Sequence, residues 1–182
     1  MSFVIAPIVE GHGDVSALPV LLRRLAPSLH VKRPVRFPRA QLLQHVHLER
    51  AVRIASSNIM DHGGVLLVLD ADQDCAARLG PDLEAQLRSL LPQRPSRVVV
   101  AVREFESWIV AGGPEYGVSD ADAAGSPKRR IRDQHGVYSE AADQARLIAV
   151  ADLDLLERNS RSFRRLRRVI DEFERLSQDA PT

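Results

Sequence analysis

The sequence predicts a single α/β domain, a three-layer sandwich around a mostly parallel sheet with extra helices at its C-terminal end. Three observations predict it. Short, wholly apolar runs recur at residues 3–9, 65–69 and 97–102, as in strands buried on both faces of a parallel sheet. Segments of helical period separate these runs and a weaker strand at 31–37, giving a β-α-β-α-β-α-β order. Each of the three runs ends in an acidic cluster, at the place where open α/β sheets carry their ligand sites.

Phe3-Val4-Ile5-Ala6-Pro7-Ile8-Val9 reads as the first strand, followed by the turn Gly11-His12-Gly13. A helix then begins near Asp14 or Ser16, either of which suits an N-cap. Val15, Leu18, Leu21, Leu22 and Leu25 carry its period, and Pro27 marks its end. Residues 31–37 alternate apolar and basic and read as a half-exposed edge strand weakened by Pro34. Residues 40–61 form the longest helical pattern, which Gly63-Gly64 closes before the strand 65–69. A helix over 81–91 opens on Pro81, and the strand 97–102 leads into Arg103-Glu104-Phe105-Glu106-Ser107-Trp108.

Residues 113–137 are rich in Gly, Pro, Asp and Ser and read as a long loop. Two helices, 139–157 and 160–177, complete the chain, and residues 179–182 are expected to fray. The core therefore spans about 3–112, the loop 113–137 and the C-terminal helices 138–178, all within one domain of 182 residues.

Bulk properties exclude some function classes. The single cysteine, Cys75, excludes an intramolecular disulfide framework and fits a reducing cytosol. It lacks a visible histidine partner and reads as a small inert side chain. No apolar run reaches the length of a membrane span, and the first residues lack the basic region of a signal peptide. A cytoplasmic location is expected. The formal net charge of +1 points to neither nucleic acid nor membrane, but six arginines and no acid lie between Arg158 and Arg168.

The chemistry-bearing groups follow from the strand ends. Asp70-Ala71-Asp72 places two carboxylates at i and i+2, which face the same way if the backbone stays extended. They then share one cation or hold two. Glu10 ends the first strand and serves as a ligand or a general acid or base. Asp14 turns back towards it from the helix start, as cap, ligand or both. Hard oxygen donors grouped in this way select Mg²⁺ or Mn²⁺. Glu106 is the favoured ligand from the third cluster. His12, between Glu10 and Asp14, reads as a surface-loop residue or as a contact to a phosphate or metal, and His45 and His47 do not share a helix face.

Lys128, with Arg129 and Arg130 beside it, is placed to neutralise charge on a phosphate. Arg158, Arg161, Arg164, Arg165, Arg167 and Arg168 form either a solvated face with i, i+4 ion pairs or a track for a phosphate backbone. The nucleic-acid contacts expected are Lys128, Arg129, Arg130, Arg164, Arg165 and Arg168. Trp108 reads as core.

The strand-terminal Glu10-Gly11 and the later Asp70-Ala71-Asp72 resemble the TOPRIM domain of topoisomerases, primases, recombination mediators and OLD-family nucleases. Four elements in order resemble a family of small stand-alone TOPRIM-like proteins: Glu10-Gly11-His12-Gly13-Asp14, Asp70-Ala71-Asp72, Glu106-Ser107-Trp108 and Ser160-Arg161-Ser162-Phe163. The resemblance spans roughly residues 3–170. It implies a TOPRIM/Rossmann-like fold and Mg²⁺- or Mn²⁺-dependent phosphodiester hydrolysis of DNA or RNA. It also implies a setting in antiphage defence beside an ABC- or SMC-like ATPase.

By resemblance, Glu10 and Asp14 take one metal, Asp70 and Asp72 the second, Glu106 completes the shell and Lys128 stabilises charge. The catalytic set is then Glu10, Asp70, Asp72 and Lys128. The competing reading is a non-catalytic, metal-binding regulatory or effector subunit docked on an ATPase. A haloacid-dehalogenase-type phosphatase also uses a D-x-D after a strand, but normally after the first strand. The role of Asp74 is not placed, and the oligomeric state, including a homo-oligomer, stays open.

Overall fold

The computed structural model describes residues 3–57, 59–60 and 62–179. Its elements run β1 (Val4–Val9), α1 (Asp14–Leu25), β2 (His30–Val31), β3 (Val35–Arg36), α2 (Arg39–Leu42), α3 (His45–Ser57), β4 (Gly63–Asp70), α4 (Ala76–Leu90) and β5 (Ser96–Ala101). Five further helices follow: α5 (Glu106–Gly112), α6 (Pro127–His135), α7 (Glu140–Val150), α8 (Leu153–Asn159) and α9 (Arg161–Gln178). Every strand pairing is parallel, in the order β2-β1-β4-β5, with β3 also on β1.

The result is the three-layer, Rossmann-like sandwich that the sequence predicts. Alternation along each strand divides the core into two. Ile5, Val9, Leu66, Val68, Val99 and Ala101 face the layer of α1, α5 and α7–α9. Ala6, Ile8, Val65, Leu67, Leu69, Val98 and Val100 face α2, α3 and α4. The edge strand expected at 31–37 is present but split. β2 pairs with the start of β1 and β3 with its end, and the break lies at Lys32–Pro34, where proline removes a ladder donor.

Several boundaries differ from the sequence reading. The helix expected over 40–61 turns at Leu43–Gln44, so α2 and α3 are separate; Asn58 and Asp61 lie outside the described residues. Gly63 and Gly64 belong to β4 rather than to a stop. A Cβ on Gly63 would meet the Val4 carbonyl at 2.4 Å, and one on Gly64 the Pro95 carbonyl at 2.6 Å, so glycine lets the chains approach. Helix α4 starts at Ala76, which places Pro81 inside it. The carbonyl that Pro81 leaves without a donor belongs to exposed Ala77, where solvent can meet it.

The segment 113–137 is not one loop. It holds a 3-10 turn at Pro114–Tyr116 and helix α6, which Ser126 caps by accepting the Arg129 N–H. The helix expected over 139–157 divides because the Asp152 carboxylate accepts the N–H groups of Asp154 and Leu155, starting α8 afresh. The fraying expected near the C-terminus falls, for 180–182, outside the described residues. No described helix is long and apolar enough to cross a membrane.

Candidate functional site

The carboxyl ends of β1, β4 and β5 open into one cleft of about 270 Å³. Glu10 enters it from β1, Asp14 from the first turn of α1, Asp70 from β4 and Glu106 from the start of α5. Lys128 of α6 and Glu140 and Gln144 of α7 close it, with Arg36 and Arg39 on the far wall.

Glu10 Oε1 accepts the backbone N–H of Asp70 at 2.8 Å, and its buried Oε2 has no partner. Asp14 does not cap α1, since it lies within the helix and Gly13 holds the cap position without a side-chain bond. Its Oδ2 instead accepts the Gly11 N–H at 2.9 Å, and its Oδ1 accepts from Gln144 Nε2 at 3.0 Å. Gln144 Oε1 is buried and unpartnered. Gly13 permits this contact, because a Cβ there would lie 2.0 Å from Gln144 Oε1.

No described group donates a hydrogen bond to the Asp70 carboxylate, which lies beside the charges of Asp14, Glu10 and Glu106. Glu106 is 1% exposed and accepts the Tyr138 hydroxyl at 2.7 Å. Burial pushes its carboxyl up to about 7, against the opposing pull of Lys128 and Tyr138. Burial likewise raises Glu10 and Asp14, and raises Asp70 well above the usual carboxylate range.

Lys128 Nζ lies 2.7 Å from Glu104, 2.7 Å from Glu140 and 3.9 Å from Glu106. Burial disfavours its charge, but the bonds to Glu104 and Glu140 outweigh that and raise its pKa. The lysine is therefore the fixed counter-charge of the cleft.

Asp72 departs from the sequence reading. The strand ends at Asp70, and Asp72 adopts a left-handed backbone with φ 51°. The i, i+2 rule needs an extended chain through both residues, so it does not hold here; Asp72 lies outside the cleft lining, although its charge still reaches Glu10. The Asp72 side chain is 61% exposed and pairs with Arg39 Nε at 3.2 Å. Arg39 also bonds the carbonyls of Asp70 and Ala71 and pairs with Asp74 at 2.6 Å. Asp74, unplaced by sequence, thus helps Arg39 hold the turn after β4.

The expected nucleic-acid residues fall in two places. Lys128 lines the cleft, and Arg129 and Arg130 are exposed beside it on α6. Arg164 bonds the carbonyls of Glu157 and Arg158. Arg165 pairs with Glu84, and Arg165 and Arg168 line a separate groove between α4 and α9. The late Ser160-Arg161-Ser162-Phe163 is structural. Ser160 caps α9, and buried Asp122 accepts from the N–H groups of Arg161 and Ser162 and from the Ser160 hydroxyl. Trp108 is core and donates to Ser162 Oγ at 3.0 Å. Cys75 and His12 are exposed.

The sequence reading missed Arg36, Arg39, Tyr138, Glu140 and Gln144. Arg36 ends the edge strand β3 and Arg39 follows it, so the strand-end rule that found Glu10 and Asp70 applies to them too. Glu140 and Gln144 are spaced i, i+4 and share a helix face.

The donors suit a hard divalent cation in kind and charge. Four buried or half-buried carboxylates converge, and one of their oxygens, Glu10 Oε2, is buried without a partner. Among the described residues, no three His, Cys, Asp or Glu side chains are already drawn together as a metal cage. No protein-family model, no curated protein and no solved structure matches the chain.

Proposed function

We propose that this protein is a metal-dependent phosphodiesterase acting on nucleic acid, a nuclease of TOPRIM type. One observation carries the reading. Glu10, Asp14, Asp70 and Glu106 converge at the ends of three parallel strands with Lys128 as the fixed cation among them. A buried group of like charges of this kind is costly unless a cation joins it.

Glu10, Asp14 and Asp70 would hold Mg²⁺ or Mn²⁺, with Glu106 at the margin of the set. The metal would supply Lewis-acid stabilisation of the charge that builds on a scissile phosphate. Lys128 adds a positive charge at the same cleft. Glu106, with its carboxyl near neutrality, is matched to accept or return a proton at physiological pH. Arg129 and Arg130 extend the positive surface along α6 for a backbone contact without sequence reading. The sequence resemblance adds the defence setting and the ATPase partner to this proposal.

The exposed, arginine-paired Asp72 and the triple tether on Lys128 favour a second reading, a metal-binding subunit without turnover. Nicking of plasmid DNA and of bulk tRNA with Mg²⁺ or Mn²⁺ separates the two. Metal-dependent cleavage that an Asp70→Ala variant lacks supports the nuclease. Absence of cleavage from the wild type on both substrates favours the silent subunit.

A further inference from the structure

Strand β5 is bonded to β4 on one side and has no strand on the other among the described residues. The N–H groups of Val65 and Ala71 donate to the carbonyls of Pro95 and Ala101, so the odd-numbered residues of β5 face β4. By the period of two, Val98 and Val100 turn their N–H and C=O groups outward. The Val98 N–H donates to the buried Glu84 carboxylate of α4 at 3.2 Å. Among the described residues, no hydrogen bond from outside the sheet reaches Val100.

A groove of about 600 Å³ runs along this edge, larger than the acidic cleft. Val98, Val100 and Val102 floor it, and small residues of α4 hold it open. A Cβ on Gly80 would meet only Val100, at 3.6 Å. Along α4 the groove runs from Ala76 to Arg88, about 18 Å of helix rise, which matches about five residues of extended chain.

The rim is basic. Arg88, Arg161, Arg165 and Arg168 border the groove. Its two acids are buried: Glu84 pairs with Arg88 and Arg165, and Asp122 accepts from the start of α9 and lies 3.8 Å from Arg161, which also lies 3.9 Å from Asp120. Arg168 has no ion pair among the described residues, and the side chains of Arg88 and Arg161 stay mostly exposed.

We propose that this groove binds an extended, acidic peptide segment of a partner protein, which adds as a strand to the β5 edge. The free backbone groups recognise a peptide main chain, the valine floor accepts alternate apolar side chains, and Arg168, with the exposed heads of Arg88 and Arg161, selects flanking Asp or Glu. A second copy of this chain would bring the same arginines against themselves. A nucleic-acid strand would meet the rim but leave the apolar floor and the strand edge without partners.

The test selects phage-displayed random 12-residue peptides on the full-length protein, then measures synthetic peptides by fluorescence polarisation. The expected peptides hold about five β-prone residues flanked by Asp or Glu. Their binding should weaken about tenfold or more with Arg168→Glu, with Gly80→Leu, or when the peptide acids become Lys. Both protein variants should keep the wild-type melting temperature, and bound peptide should slow hydrogen exchange of the Val100 amide. Failure to enrich acidic peptides, binding indifferent to both variants, or an unprotected Val100 amide overturns the proposal. So does a groove that takes an oligothymidine or a second copy of the chain in place of peptide.

Discussion

The Glu10 carboxylate accepts the backbone N–H of Asp70 at 2.8 Å. That bond fixes the ends of two neighbouring strands against each other. It commits one oxygen of Glu10 and leaves the other buried without a partner, next to the Asp70 carboxylate. The structure is thereby held in a state that a cation would relieve.

Asp70→Asn removes one charge from that group. Metal-dependent cleavage is expected to fall by about 100-fold or more. The metal-free variant should be more stable than wild type, by about 1–2 kcal/mol, because a buried like charge is lost. Urea melts of both proteins in a chelator, paired with the nicking assay, check this. A variant that loses activity and stability together would show a folding role.

Lys128→Ala leaves Glu104, Glu106 and Glu140 without their shared cation. The expected cost is about 1–3 kcal/mol, with Mg²⁺ restoring part of it. Thermal melts with and without Mg²⁺ measure the effect. An unchanged melting temperature would mean that the lysine does not balance the cluster.

Stability of the metal-free protein should fall as pH rises from about 5 to about 8. Folded Glu106 keeps its proton up to about pH 7, whereas the unfolded chain releases it near the ordinary value. The folded state therefore holds more protons across that window and loses its advantage as pH climbs. Glu10, Asp14 and Asp70 are raised in the same direction. Glu84 and Asp143 are lowered, so their stabilisation is lost at more acid pH, below this window. Melting curves across the range should flatten in Glu106→Gln, and a curve that rises with pH would contradict the assignment.

Asp122→Ala removes the acceptor for two N–H groups at the start of α9. A loss of about 2–4 kcal/mol is expected, with metal binding at the cleft unchanged. Denaturant unfolding and a metal titration on the same variant separate the two effects.

The strand ends were legible because a buried parallel strand leaves an unmistakable apolar run, and Glu10 and Asp70 stand directly after two of them. Asp72 was not, since its orientation depends on a turn with positive φ that D-x-D spacing does not reveal. Helix α6 carried the start signal Ser126-Pro127, a serine cap with proline in the first turn. The Gly-, Asp- and Ser-rich stretch before it masked that signal. Glu140 and Gln144 reach the cleft only through the packing of α7 on α1, and one sequence does not say which face of a polar helix turns inward. Arg39 shows a further limit, since its partners Asp72 and Asp74 lie more than thirty residues away along the chain.

Binding of Mn²⁺ to the purified protein, followed by electron paramagnetic resonance, tests the central claim most directly. Saturable binding is expected in the wild type, competed by Mg²⁺ and weakened about tenfold or more in Glu10→Gln and Asp70→Asn but not in Asp72→Asn. Absence of saturable binding, or binding that survives both cleft substitutions, would contradict a metal centre at the ends of β1 and β4.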